Sequence, residues 1–144
     1  MTTPRLLMLI AATTLLLAGC TDTGDDASTA QDPASAGPFV SPEEAAERID
    51  DGATIIDVRT PEEFASGAIE DAVHMPIAAD GFADAVTALD PDDSYVLYCR
   101  TQNRSGAALE VFADAGIDDA VAIEGGVGAW EDAGFDLLTQ PGFD

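Results

Sequence analysis

The stretch Tyr95-Val96-Leu97-Tyr98-Cys99-Arg100-Thr101-Gln102-Asn103-Arg104-Ser105-Gly106 limits what this chain can become more than any other. Four consecutive apolar residues, preceded by the turn-forming Asp90-Pro91-Asp92-Asp93, read as a strand buried on both faces. Such a strand has no side it can turn to water, so it requires a sheet with cover above and below it. Beyond Ser105 the apolar spacing changes to Ala108, Leu109, Val111, Phe112 and Ala115, close to one face of a helix, and Gly116 supplies the stop. Cys99 therefore stands between a strand and a helix. A turn of that kind gathers backbone N–H groups and the positive end of the helix dipole at one point, which lowers the pKa of a thiol and holds an anion.

Charge makes the turn more conspicuous. The chain has 5 Lys+Arg, none of them lysine, against 28 Asp+Glu, a formal net charge of −23. Arg100 and Arg104 nonetheless both follow closely on Cys99. The plainer reading is that each pairs with a surplus carboxylate, as surface arginines commonly do. The acidity itself excludes a nucleic-acid footprint and adhesion to an anionic membrane surface, and it favours solubility at high salt.

The N-terminus reads as an export signal. Arg5 precedes the apolar run Leu6 to Ala18, which at 13 residues is shorter than the about 20 needed to cross a bilayer as a helix. It ends in Leu17-Ala18-Gly19-Cys20, which resembles the lipobox of bacterial and archaeal lipoproteins, in which the Cys is lipid-modified and the chain is cut before it. Residues 1–19 are thus expected to be a lipoprotein signal peptide and Cys20 the lipidated first residue of a protein held on the outer face of the cell membrane. The competing readings are an ordinary cleaved signal, or a disulfide between Cys20 and Cys99. With Cys20 acylated, Cys99 is a lone thiol in an exported protein, a setting in which a reactive role gains weight. Thr21 to Pro38 contains no aromatic and no large aliphatic residue, so residues 20–38 are expected to be a tether with a span of about 25 Å.

A single domain is expected over 39–136, with 137–144 as a tail. Ser41-Pro42-Glu43-Glu44 is a capping sequence that opens a helix ending near Asp50-Asp51-Gly52, and Thr54 to Val58 follows as a strand. Thr60-Pro61-Glu62-Glu63 repeats the capping pattern for a helix that stops at Ser66-Gly67. Val73 to Met75 reads as a strand, Phe82 to Leu89 as a helix, Ala120 to Ile123 as a last strand, and Gly125-Gly126 leads into a short helix through Trp130. Alternating strands and helices imply a parallel sheet covered on both faces, with ligands bound outside the carboxyl ends of the strands. Cys99 lies at that edge.

Asp57-Val58-Arg59, then Pro61, Glu63-Phe64 and Gly67-Ala68-Ile69, then Ala72-Val73-His74-Met75-Pro76, then Tyr98-Cys99-Arg100-Thr101-Gln102-Asn103-Arg104-Ser105, then Glu124-Gly125-Gly126-Val127-Gly128-Ala129-Trp130, together resemble a single-domain rhodanese. The resemblance runs from about Phe39 to Phe135. It implies an α/β, rhodanese-like three-layer sandwich of about five mostly parallel strands between helices. It also implies a cysteine that takes up sulfane sulfur as a persulfide and passes it to a thiophilic acceptor such as cyanide or a thiol, without a cofactor. Three positions depart from the family pattern: Ala68 where His is frequent, Gln102 where the loop commonly has Gly, and His74 where Asn is frequent. Gln102 is the consequential one, because glycine enters positive φ freely and glutamine does not. His74, the only histidine, has no second His or Cys nearby and reads as a packed or capping residue, so no metal is expected.

The roles follow from the chemistry. Taking sulfur from thiosulfate requires a thiolate, room for one more sulfur, and positive charge for the departing oxyanion, which assigns Cys99 as the catalytic residue. Arg100, Thr101, Gln102, Asn103, Arg104 and Ser105 are expected to bind the substrate, Arg100 by contact with the anionic donor and the turn by its N–H groups. Arg104 closes the loop, with a carboxylate such as Asp57 at the end of the neighbouring strand available to hold it. Arg59 and Glu63, four apart, are expected to form a structural pair, and Trp130 to pack the last helix. Two other functions fit the same residues: a persulfide carrier or sensor fed by a redox or sulfur-relay protein, and a Cys-dependent phosphatase or arsenate reductase. The phosphatases that resemble rhodaneses have one residue more between the Cys and the Arg than this turn has, which widens the cradle for a tetrahedral group.

Overall fold

The computed structural model describes residues 38–139. The signal segment, Cys20 and the tether up to residue 37 lie outside the described residues, so the lipidation reading at Cys20 is not addressed by them. The elements are β1 (Phe39–Val40), α1 (Pro42–Asp50), β2 (Thr54–Asp57), α2 (Pro61–Ser66), β3 (Val73–His74), α3 (Phe82–Thr87), β4 (Tyr95–Tyr98), α4 (Asn103–Asp114), β5 (Ala120–Ile123) and α5 (Gly126–Asp132).

Both capping sequences work as helix starts. Ser41 Oγ accepts a hydrogen bond from the Glu44 N–H at 3.2 Å, and proline opens each helix, where its missing donor costs nothing. At α2 the box is reciprocal: Thr60 Oγ1 accepts from the Glu63 N–H at 3.3 Å, and Glu63 Oε2 accepts from the Thr60 N–H at 3.1 Å.

The strands form one sheet in the order β1-β5-β4-β2-β3, and every pairing in it is parallel. β4 is central and buried along its whole length. Alternation divides its side chains between two cores. Tyr95 and Leu97, with Ile56, Val58 and Ala122, pack under α3 and α4 against Phe82, Val86, Ala108 and Phe112. Val96 and Tyr98, with Ile55, Val121 and Ile123, pack under α1 and α5 against Ala45, Val127 and Trp130. The three-layer α/β architecture is the expected one.

Three details differ from the sequence reading. β1 was not foreseen, being two residues long; it is held by Ala122 N–H donating to Pro38 O at 2.7 Å and Glu124 N–H donating to Val40 O at 2.8 Å. α4 begins at Asn103, inside the turn and ahead of the apolar spacing that revealed it. In the stretch read as a tail, Leu138 forms an antiparallel bridge with Ala68, its N–H donating to Ala68 O at 2.7 Å.

Candidate active site

β4 delivers Cys99 to the carboxyl edge of the sheet. The alternation that sends Leu97 toward α4 sends Cys99 the same way, and its side chain joins that core with 1% exposure. Pairing continues past the named strands: Val58 N–H donates to Tyr98 O at 3.1 Å, and Ile77 N–H donates to Val58 O at 3.2 Å. The thiol is thus set in a rigid floor.

The turn then folds over the sulfur. Gln102 N–H donates to Cys99 Sγ at 3.0 Å, and Ser105 Oγ lies 3.5 Å from it. The Ser105 hydroxyl has one proton and two neighbours able to take it, the sulfur and the Gln102 carbonyl at 3.0 Å. Burial pushes the Cys99 thiol up, while the Ser105 hydroxyl and the N–H groups of Ser105, Gln102 and Thr101 favour the thiolate; their combined effect is larger and leaves the thiol below its ordinary value.

The arginines find partners other than those expected. Arg59 does not pair with Glu63, and Arg104 is not held by Asp57. Arg59 precedes the N-cap of α2, so the i, i+4 spacing of a helix does not apply to it. Its N–H donates to Asp57 Oδ1 at 2.9 Å, which turns its guanidinium back onto the same carboxylate, with Nη2 to Oδ2 at 2.6 Å and Nη2 to Gly67 O at 2.7 Å. Both residues are buried, Asp57 at 0% and Arg59 at 4% exposure. Burial works against the Arg59 charge, and Asp57 more than restores it. The guanidinium lies 5.2 Å from the centre of the Tyr98 ring, whose hydroxyl accepts from the Ile69 N–H at 3.1 Å; burial, then Asp57, pushes that hydroxyl far up and keeps it protonated.

Glu63 is therefore left for Arg104. The pair is bidentate, Nη1 to Oε2 at 2.6 Å and Nη2 to Oε1 at 2.8 Å, and Oε2 also caps α2. Arg104, followed by the Thr60 N–H, holds the Glu63 carboxyl down to about 2. Arg100 is exposed and has no ion-pair partner among the described residues. Thr101 and Asn103 are exposed beside it. The charge next to the thiol that remains available to an incoming anion is thus Arg100.

The sequence reading left out of the site the start of α5. Val127 N–H donates to Cys99 O at 2.9 Å, and Gly125 N–H donates to Gln102 Oε1 at 2.9 Å. Gly126 has φ +66°, and a Cβ there would stand 2.5 Å from Cys99 O and 2.8 Å from Arg100 C. The consecutive glycines after β5 were the available signal. Beside Arg104 lies a cavity of about 240 Å³ lined by Val58, Thr60, Pro61, Pro76 and Ile77. His74 is packed, its ring stacked on Phe64 at 4.4 Å and its Nε2 3.0 Å from Arg59 O. Trp130 is packed too, stacked on Phe135. Among the described residues no group of three or more His, Cys, Asp or Glu is placed to hold a metal ion.

Comparison with known proteins places the fold in a family. The model of the rhodanese-like domain matches residues 41–133. The thiosulfate sulfurtransferase GlpE of Pseudomonas aeruginosa is 33% identical over 91 residues, 63% of this chain and 81% of that protein. A probable adenylyltransferase/sulfurtransferase, MoeZ of Mycobacterium tuberculosis, is 34% identical over 113 residues, 77% of this chain. An uncharacterised protein of Synechocystis is 37% identical over 87 residues, 60% of this chain. This chain spans 48% of the Synechocystis protein and 28% of the mycobacterial one. Among solved structures, a rhodanese-related protein from Thermoplasma volcanium superposes with a TM-score of 0.64 at 28% identity, covering 71% of this chain and 98% of its own.

Proposed function

We propose that this chain, which belongs to the rhodanese-like domain family, is a sulfurtransferase that works through a persulfide on Cys99. The Cys99 thiolate attacks the outer sulfur of a donor such as thiosulfate, the S–S bond of the donor breaks, and sulfite leaves with the bonding electrons. A thiophilic acceptor, cyanide or a thiol, then takes the outer sulfur and returns the thiolate. One observation carries the reading: the buried Sγ meets the Gln102 N–H at 3.0 Å at the opening of α4, so negative charge on sulfur is stabilised where water is scarce. Arg100, exposed and unpaired, receives the anionic donor; Arg104, clamped on Glu63, braces the turn. The loop N–H groups from Arg100 to Ser105 cradle the persulfide.

Intact-protein mass spectrometry after treatment with thiosulfate tests it. The expected result is a gain of one sulfur atom, reversed by cyanide and absent in Cys99→Ser; unchanged mass in the native protein overturns the reading. Poor turnover of thiosulfate together with ready uptake of sulfur from a persulfide-bearing protein identifies a carrier instead. Phosphatase activity equal to the sulfur transfer refutes the assignment outright.

We propose further that Cys20 is lipidated and holds the domain at the outer face of the membrane, on the support of the short apolar segment ending Leu17-Ala18-Gly19-Cys20. Cys20→Ala is expected to move the protein from the membrane fraction to the medium or to uncleaved precursor. Unchanged membrane association removes the lipid anchor from the account.

A further inference from the structure

We infer that Gln102 is a positioning residue for the Cys99 sulfur, its side-chain amide fastening the turn to the start of α5 so that its own N–H stays aimed at Sγ. Gln102 has φ +109°, a conformation that a residue with a Cβ adopts only under strain. Relaxing φ to its ordinary negative range would turn the Thr101–Gln102 peptide away from the sulfur. The strained state persists because both ends of the residue are tied. On the helix side its carbonyl accepts from Gly106 N–H at 2.8 Å, with Ser105 Oγ 3.0 Å away. On the other side its Oε1 accepts from Gly125 N–H at 2.9 Å.

The start of α5 grips the turn at two points. Val127 N–H holds the Cys99 carbonyl and Gly125 N–H holds the Gln102 amide, and Gly126 between them permits the approach because a Cβ would meet Cys99 O at 2.5 Å. The strand that bears the thiol and the residue that hydrogen-bonds it are thereby referred to one rigid element. The inference rests on Cys99 being the reacting group, but the geometry of the thiol can be probed without any sulfur donor.

Two substitutions separate the contributions. Gln102→Met keeps the chain length and the φ burden and removes the amide; Gln102→Gly removes the burden and the amide together. The charged groups around the thiol, Arg100 and Arg104 on the turn, Glu63 from α2, Asp57 at the end of β2 and Arg59 just beyond it, are unaltered in both. The rate of Cys99 alkylation by iodoacetamide across pH reads the thiol's titration, and single-turnover loading from thiosulfate reads its use. In Gln102→Met the alkylation profile is expected to shift to higher pH, and loading at saturating donor to slow about tenfold, the rate equivalent of one hydrogen bond. The half-saturating donor concentration is expected to stay unchanged, because the amide faces Gly125 and not the donor. Gln102→Gly is expected to shift the profile in the same direction, since glycine reaches φ +109° but only the carbonyl tie on the helix side remains to keep it there. An alkylation profile unchanged from the native protein in Gln102→Met overturns the inference; if that variant does not fold, an unchanged profile in Gln102→Gly does so. Native protein that takes up no sulfur sinks the proposed function while leaving the alkylation comparison as a test of positioning.

Discussion

At the scale of single residues, the strictest demand is made by Asp57 and Arg59, a charged pair with almost no water around it. Such a pair adds little beyond an apolar replacement of both partners, but removing one charge strands the other. Asp57→Asn is expected to cost about 3–5 kcal/mol out of a total of roughly 5–15 kcal/mol, read as a fall in the urea midpoint. Gly126 is equally exacting for steric reasons. Gly126→Ala meets both a left-handed φ and a carbonyl at 2.5 Å, so loss of sulfur transfer and a lowered melting temperature are expected together. Arg100 is the contrast. Being exposed and unpaired, it can be replaced by Ala with a stability change within about 0.5 kcal/mol, while kcat/KM for thiosulfate falls; equal falls for an uncharged donor would deny Arg100 its role with the anion.

At the scale of elements, α2 shows what a sequence can and cannot reveal about a site. Thr60-Pro61-Glu62-Glu63 announces a capped helix on local chemistry alone, and the cap is there. The same holds for β4, whose apolar run needs no tertiary context. Which carboxylate takes which guanidinium was not legible, because it depends on where α2 and α4 meet, 41 residues apart along the chain. The Gly125–Gln102 hydrogen bond was hidden for the same reason, and β1 because two residues carry no periodicity. Glu63 has a consequence that pH can read. Its carboxyl falls from 4.5 in the free group to about 2 in the folded protein, so its stabilisation is complete above 4.5 and fades as pH drops toward 2. Glu63→Gln is expected to be less stable than the native protein at pH 6 by about 1 kcal/mol, with the gap closing between those two values; a gap that stays constant down to pH 2 would show that Arg104 does not hold the carboxyl.

At the scale of the whole molecule, a chain with a net charge of −23 is proposed to admit an anionic donor. The repulsion acts from many exposed carboxylates, whereas the role proposed for Arg100 is at contact distance, and salt at 0.1 M screens exposed charges beyond about 10 Å. Thiosulfate turnover is therefore expected to rise with salt to a few tenths molar, as measured by initial rates; a steady decline from low salt would mean that the local cation outweighs the global field. The strand order carries a consequence of another kind, in time. Among the described residues β1 pairs only with β5, so Phe39 must wait for Ala122 and Val40 for Ile123. A chain emerging from its N-terminus presents the edge strand first and its sole partner almost last, and a parallel pairing of that separation closes slowly. The sheet closes its edge only after β5 is free, and the start of α5, which holds the Cys99 carbonyl and the Gln102 amide, emerges later still.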